Sequence, residues 1–164
     1  MKKIPAARTP AAFSLIEVVL ALGLTSFCLI ALLGLLPVGL HSNQDAIQQA
    51  EASDVLSAAI SDLYATPSTT PPGMATNSCQ FRIPIPANPV TASSVISTLY
   101  FVGNGQWSTS LQGGSLYRLT ITALTNGASA RTATFLDLKV TRPASVAVNN
   151  ATETLETFVA LNRN

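Results

Sequence analysis

Charge is scarce in this chain. Of 164 residues, nine are Lys or Arg and eight are Asp or Glu, where an average soluble domain is roughly a quarter charged. A formal net charge of +1 excludes the general basic footprint of a nucleic-acid-binding protein. A hydrophobic fraction of 48% excludes the composition of an intrinsically disordered chain. Histidine occurs once, as His41, and cysteine twice, as Cys28 and Cys79. Zinc sites need clustered ligands, which these residues do not form in sequence. A Ser-His-Asp arrangement would have to be built on His41 alone. Gly103-x-Gly105 and Gly113-Gly114 lack the rest of any phosphate-binding motif. No catalytic residue, metal or cofactor is therefore expected, and the chain does not read as an enzyme.

What is present is a long gap between charges. Lys2, Lys3 and Arg8 precede residue 12, Glu17 stands alone, and no further charged residue occurs until Asp45. The 28 residues from Phe13 to Leu40 contain Ser14, Glu17, Thr25 and Ser26 as their only clearly polar side chains. About 20 apolar residues suffice to cross a bilayer core as helix. Three cations lie before the run and none follows until Arg82, so the positive-inside bias keeps the N-terminus cytoplasmic and exports everything after Leu40. A cleavable secretory signal should have a shorter apolar region, about 7–15 residues, and a small-x-small exit. A lipoprotein signal needs a small residue before its cysteine, and Cys28 follows Phe27. A simple anchor fits the length but not Glu17. A carboxylate at the centre of a membrane helix costs about 2.5–3.5 kcal/mol and marks a functional site by default. Hydration of Glu17 at the interface is the plain alternative.

The stretch Ala12-Phe13-Ser14-Leu15-Ile16-Glu17, after a short basic leader and before a long apolar helix, resembles the prepilin signal of type IV pilins and type II secretion pseudopilins. The resemblance implies cleavage between Ala12 and Phe13 by a prepilin peptidase/methyltransferase of the bacterial inner membrane. It implies N-methylation of Phe13, and assembly with other pilin-like subunits through the N-terminal helix, with Glu17 as the fifth residue of the mature chain. The family usually has Gly before the cut, where this chain has Ala12. The LGLLPVG segment and the closing FVALNRN are similar to the Verru_Chthon cassette B proteins, a pseudopilin-like subfamily.

A physical reading of Glu17 stands beside the resemblance and takes the implied cleavage as given. A cut before Phe13 leaves a free amino group four residues from the carboxylate, about one helical turn away. Burying either charge alone is costly, and pairing offsets that cost. The pair can close within one chain, or between helices staggered by about one turn, which would give assembly a register. Gly23, Gly34, Pro37 and Gly39 interrupt the run. Small residues allow close helix packing, and Pro37 is a candidate kink.

Beyond Leu40, helical spacing places Ala52, Leu56, Ala59, Ile60 and Leu63 on one face. One helix is expected from about Phe13 to Tyr64, membrane-embedded at first and amphipathic later. Asp45, Glu51, Asp54 and Asp62 read as a solvated acidic face, or as a strip that meets a basic neighbour. Six of the ten prolines fall in residues 66–94, so this part is expected as a linker with one extended piece at Gln80–Ile85. Period-two alternation then predicts strands at Ile96–Val102, Leu116–Leu124, Thr132–Thr141 and Leu155–Leu161, with turn signals at Gly103–Gly105 and Asn126-Gly127. The expected organisation is a leader at 1–12, a transmembrane and assembly half-helix at 13–40, and an exported amphipathic half at 41–65. The Pro-rich linker at 66–94 and an antiparallel β head at 95–164 follow. The fold class is α+β, pilin-like by resemblance.

Two functional classes remain. One is a structural, minor subunit of a type IV pilus-like or type II secretion filament, single-pass in the inner membrane and in contact with its lipid. The other is a tethered binding module whose head captures a ligand such as DNA. From Thr66 onward six basic residues face three acids, Asp137, Glu153 and Glu156. That is too sparse for clustered phosphate contacts, so nucleic acid is not an expected partner. Nor do three acids support the calcium site that some pseudopilins carry. Cys28 in the bilayer and Cys79 outside it cannot bridge, which leaves Cys79 either buried in the head or open to an intermolecular bridge. Trp107, Tyr100 and Phe101 read as packing around a hairpin.

Overall fold

The computed structural model describes residues 14–103, 105–127, 129–151 and 153–162. Among the described residues one α-helix, α1 (Leu15–Tyr64), precedes seven strands, with a short 3-10 turn (Val148–Asn150) between the last two, so the chain is α+β, with a long apolar N-terminal helix and a C-terminal antiparallel sheet. Contacts divide it into two compact units, one ending at Ala46 and the other running Ile47–Asn164.

In the first unit every described residue is exposed. The apolar side chains run around the whole circumference from Leu15 to Leu40, so α1 has no inward face here. Thr25 Oγ1 donates to Ala21 O at 2.7 Å and Ser26 Oγ to Leu22 O at 2.8 Å. These back-bonds satisfy both hydroxyls within the helix, as an apolar surrounding requires. Pro37 removes one N–H from the ladder, yet α1 continues through it.

The second unit begins where α1 acquires a partner. Ala52, Leu56, Ala59, Asp62 and Leu63 are buried, following the expected face except that Ile60 is only half-buried and Asp62 joins the interior. No Gly or Pro interrupts the helix here, and Pro67 follows its end. The last turn closes with Ala65 N–H donating to Ser61 O and Thr66 N–H to Leu63 O.

The chain then forms a two-stranded ribbon, β1 (Thr76–Asn77) with β2 (Pro84–Ile85). Five strands make the main sheet: β3 (Ser94–Val102), β4 (Trp107–Ser108), β5 (Ser115–Ala123), β6 (Thr134–Arg142) and β7 (Glu153–Leu161). Their spatial order is β4-β3-β5-β6-β7 and all neighbours are antiparallel. Alternation decides which side of the sheet is the core side. Tyr117, Leu119, Ile121 and Ala123 on β5 and Leu136, Leu138 and Val140 on β6 are each at most 2% exposed. Each long strand runs one or two residues past or short of its expected bounds, because ladder hydrogen bonds extend into Ser94, Ser115 and Arg142.

Residues 66–94 do more than connect. Phe81, Ile83, Ile85 and Val90 are buried in the same core as Leu63 and Leu99. Phe81 meets Phe101 and Trp107 edge-on, at 5.6 and 5.7 Å between ring centroids. The proline-rich composition fits irregular backbone, but irregular backbone can be core when its polar groups find partners. Here they do. Asn126 Oδ1 accepts from Val90 N–H at 2.7 Å, and Asn126 Nδ2 donates to Asn88 Oδ1 at 2.8 Å. Thr134 Oγ1 donates to the same Asn88 oxygen at 2.9 Å. A pair of asparagines thus sews the segment to the β5–β6 loop.

Candidate functional site

The first candidate centre is the beginning of α1. Ser14 O accepts the N–H of Glu17 at 3.0 Å and of Val18 at 3.2 Å, so Glu17 lies in the opening turn, where the helix dipole favours an acid. On its face the next residues at four-residue spacing are the small Ala21 and Thr25. Together with Val18 and Leu22 they form a shallow apolar notch beside the carboxylate. Glu17 makes no hydrogen bond or ion pair among the described residues. It is also the one charged side chain on α1 before Asp45. Ala12 and Phe13, expected to flank the cleavage point, lie outside the described residues.

This is the one helix among the described residues long and apolar enough to cross a membrane, and none of its most apolar stretch is buried against protein. Leu15 is 84% exposed and Phe27 70%. Contiguous apolar surface on that scale marks a membrane or protein interaction surface. Chemically, the arrangement offers a greasy rod with one anionic point near its start. Such a rod can bind lipid or other apolar helices and can place one cation.

The second centre is the end of α1, which sequence reasoning misread. Asp62 was expected on a solvated acidic face, and it is 5% exposed. Its Oδ2 accepts from Ser78 Oγ at 2.5 Å and from Phe81 N–H at 2.9 Å, and its Oδ1 accepts from Gln80 N–H at 2.7 Å. Ser78 Oγ in turn accepts from Ile83 N–H at 3.0 Å. Burial pushes the Asp62 carboxyl up, but the Ser78 hydroxyl and the N–H groups of Phe81, Gln80 and Cys79 outweigh it and hold the group below its ordinary value. The carboxylate therefore works as a structural pin between helix and loop. The one available signal was its position in the helix register, one residue before the buried Leu63.

Glu51 is likewise engaged, with its Oε2 accepting from the Tyr117 hydroxyl at 2.7 Å. Asp45 and Asp54 remain exposed. Cys79 is exposed rather than buried, as is Cys28, and both are free thiols. His41 is exposed on α1. Trp107 is half-buried against the core, in keeping with packing around a hairpin.

The basic residues of the head are mostly spent on internal contacts. Arg118 Nε donates to Ala144 O at 3.0 Å, and its Nη2 reaches Val146 O at 2.5 Å. Arg142 donates to Gln48 Oε1. Lys139 pairs with Glu156 at 3.4 Å. Compared with protein-family models, curated proteins and solved structures, the chain gave no match.

Proposed function

We propose that this chain is a pilin-like structural subunit, inserted once in the bacterial inner membrane with its N-terminus cytoplasmic and its head exported, and built as a minor component into a type IV pilus-like or type II secretion filament. The observation that carries this reading is the Glu17 carboxylate, without a partner among the described residues, at the start of a helix whose most apolar stretch is not buried against protein. A carboxylate is expensive in such a place, and a free amino group created by a cut between Ala12 and Phe13 would offset the cost. The processing enzyme is then a prepilin peptidase/methyltransferase, and the assembly partners are other apolar N-terminal helices. The tethered-binding alternative has less support, because Arg118, Lys139 and Arg142 are already engaged within the head.

Intact-mass analysis of the membrane-extracted protein tests the processing. The expected species starts at Phe13 and carries one added methyl group, whereas a chain that keeps Lys2, Lys3 and Arg8 refutes it. Co-assembly tests the role of Glu17. Glu17→Ala is expected to stay in the membrane and be lost from sheared filaments, and incorporation equal to wild type would remove the assembly role.

A further inference from the structure

Where α1 passes the turn between β3 and β4, the second unit has a groove lined by Glu51, Asp54, Val55, Ala58, Phe101 and Tyr117, among others. At about 280 Å³ it falls just under the range of ordinary small-molecule pockets, about 300–1,000 Å³, and it suits one long side chain better. Its walls are mainly apolar. Glu51 is held at one side by the Tyr117 hydroxyl. Asp54 is exposed and makes no hydrogen bond or ion pair among the described residues.

The same unit carries one cation built to match. Arg82 is exposed and has φ +54°, the one positive φ at a non-glycine among the described residues. That conformation is disfavoured for a long side chain, and both flanks over-determine it. Phe81 and Ile83 are buried on either side. The Phe81 N–H is held by Asp62, the Ile83 N–H by Ser78 Oγ, and Ile83 O by the Ser78 N–H at 3.0 Å. The backbone therefore presents Arg82 rigidly from a pinned loop. Arg118, Lys139 and Arg142 have partners, and so has Arg131. Arg82 has none among the described residues.

We infer that Arg82 of one copy of this chain docks in the Glu51–Asp54 groove of a second copy. The Arg methylenes would lie on Val55 and Ala58, the guanidinium would meet Asp54 and the free side of Glu51, and the Phe101 and Tyr117 rings favour a cation beside them. The Asp62 pin sits eight residues beyond Asp54 on α1, about 12 Å along the axis. Copies displaced by about that stagger bring loop and groove level. Because the two surfaces are different patches, the contact is heterologous, and with that axial stagger between copies it propagates as an open chain instead of closing as a dimer or a ring. The inference rests on the filament reading and adds to it a contact between heads.

Cysteine cross-linking of the full chain in its host membrane tests it. Native Cys79 lies on the pinned loop beside Arg82, so Ala58→Cys, in a Cys28→Ser background, places the second thiol in the groove. Oxidation is expected to give a ladder of dimers, trimers and higher species. Arg82→Glu or Asp54→Arg alone should reduce the ladder about five- to tenfold, and the two together should restore it, since opposing like charges penalise the wrong pairing. A ladder unmoved by either reversal overturns the inference, as does one that stops at the dimer or joins this chain to a different protein. Sheared filaments probed for the chain in parallel separate the two ideas. Incorporation without a ladder overturns this contact and leaves the filament reading standing. A charge-sensitive ladder without incorporation supports the contact and removes the filament, and absence of both removes both.

Discussion

Replacing Asp62 by Asn tests the pin at the end of α1 with the smallest change of shape. The carboxylate offers two acceptor oxygens to several donors: Ser78 Oγ and Phe81 N–H on Oδ2, Gln80 N–H on Oδ1, and the Cys79 N–H beside them. An amide keeps one oxygen. Whichever way it is turned, an NH₂ group faces a backbone N–H, that of Gln80 if it replaces Oδ1 and that of Phe81 if it replaces Oδ2. Hydrogen bonds to a charged acceptor contribute about 1.5–3 kcal/mol each, and a buried donor left unpaired costs about 1–3 kcal/mol. Loss of one to two such bonds puts the expected destabilisation at about 2–4 kcal/mol at neutral pH. Urea unfolding of the full chain in detergent, followed by near-ultraviolet dichroism, reads it directly, since Trp107 packs on Phe81, whose N–H is one of those donors.

The pH dependence sharpens this test. The folded Asp62 titrates below its ordinary value of 3.8. In the folded state it therefore holds its proton less tightly than in the unfolded state, and the stabilisation is fully present above pH 3.8 and lost as pH falls through the lower folded value. The gap between wild type and Asp62→Asn should thus be widest at pH 6–7 and narrow steadily below about pH 4. An exposed control, Asp54→Asn, should stay within about 0.5 kcal/mol throughout. Equal stability of wild type and Asp62→Asn at neutral pH, or a gap that does not narrow in acid, would refute the account of the pin.

Other expectations follow from particular contacts. Gly73 has φ +76°, and an added Cβ would meet Ala130 O at 2.3 Å; Gly73→Ala should lower stability by about 2 kcal/mol or more in the same unfolding assay, combining backbone strain with a steric clash. Asp137 is held above its ordinary value, first by burial and then by Glu156, with Lys139 opposing, and its Oδ1 is buried without a hydrogen bond. The raised folded value means that Asp137 costs stability as pH rises through and beyond 3.8. Asp137→Asn should therefore raise stability by about 1 kcal/mol at pH 7, with the advantage disappearing in acid.

Much of the fold was legible because it is written in local periodicities. Alternation along β5 and β6 marked Leu119, Ile121, Leu136 and Leu138 as core, and helical spacing marked Ala52, Leu56, Ala59 and Leu63. All are buried. The segment 66–94 was not legible in this way. An extended piece at Gln80–Ile85 was expected, but the alternation of Phe81, Ile83 and Ile85 is too brief, between prolines, to announce core, and the segment is held by Asn88 and Asn126 meeting across 38 residues of chain.

The N-terminal candidate site was read from the sequence alone. A long apolar run with one acid states its own incompatibility with water and with an unpaired charge, since transfer energies depend on composition more than on neighbours in space. The four acids between Asp45 and Asp62 needed the tertiary structure. In sequence they are equivalent carboxylates on a polar helix face. Folding turns Asp62 into a buried pin, ties Glu51 to Tyr117 from 66 residues away, and leaves Asp54 open in a groove. A charge is defined electrostatically by what surrounds it, and here every partner that sets these acids apart comes from a distant part of the chain.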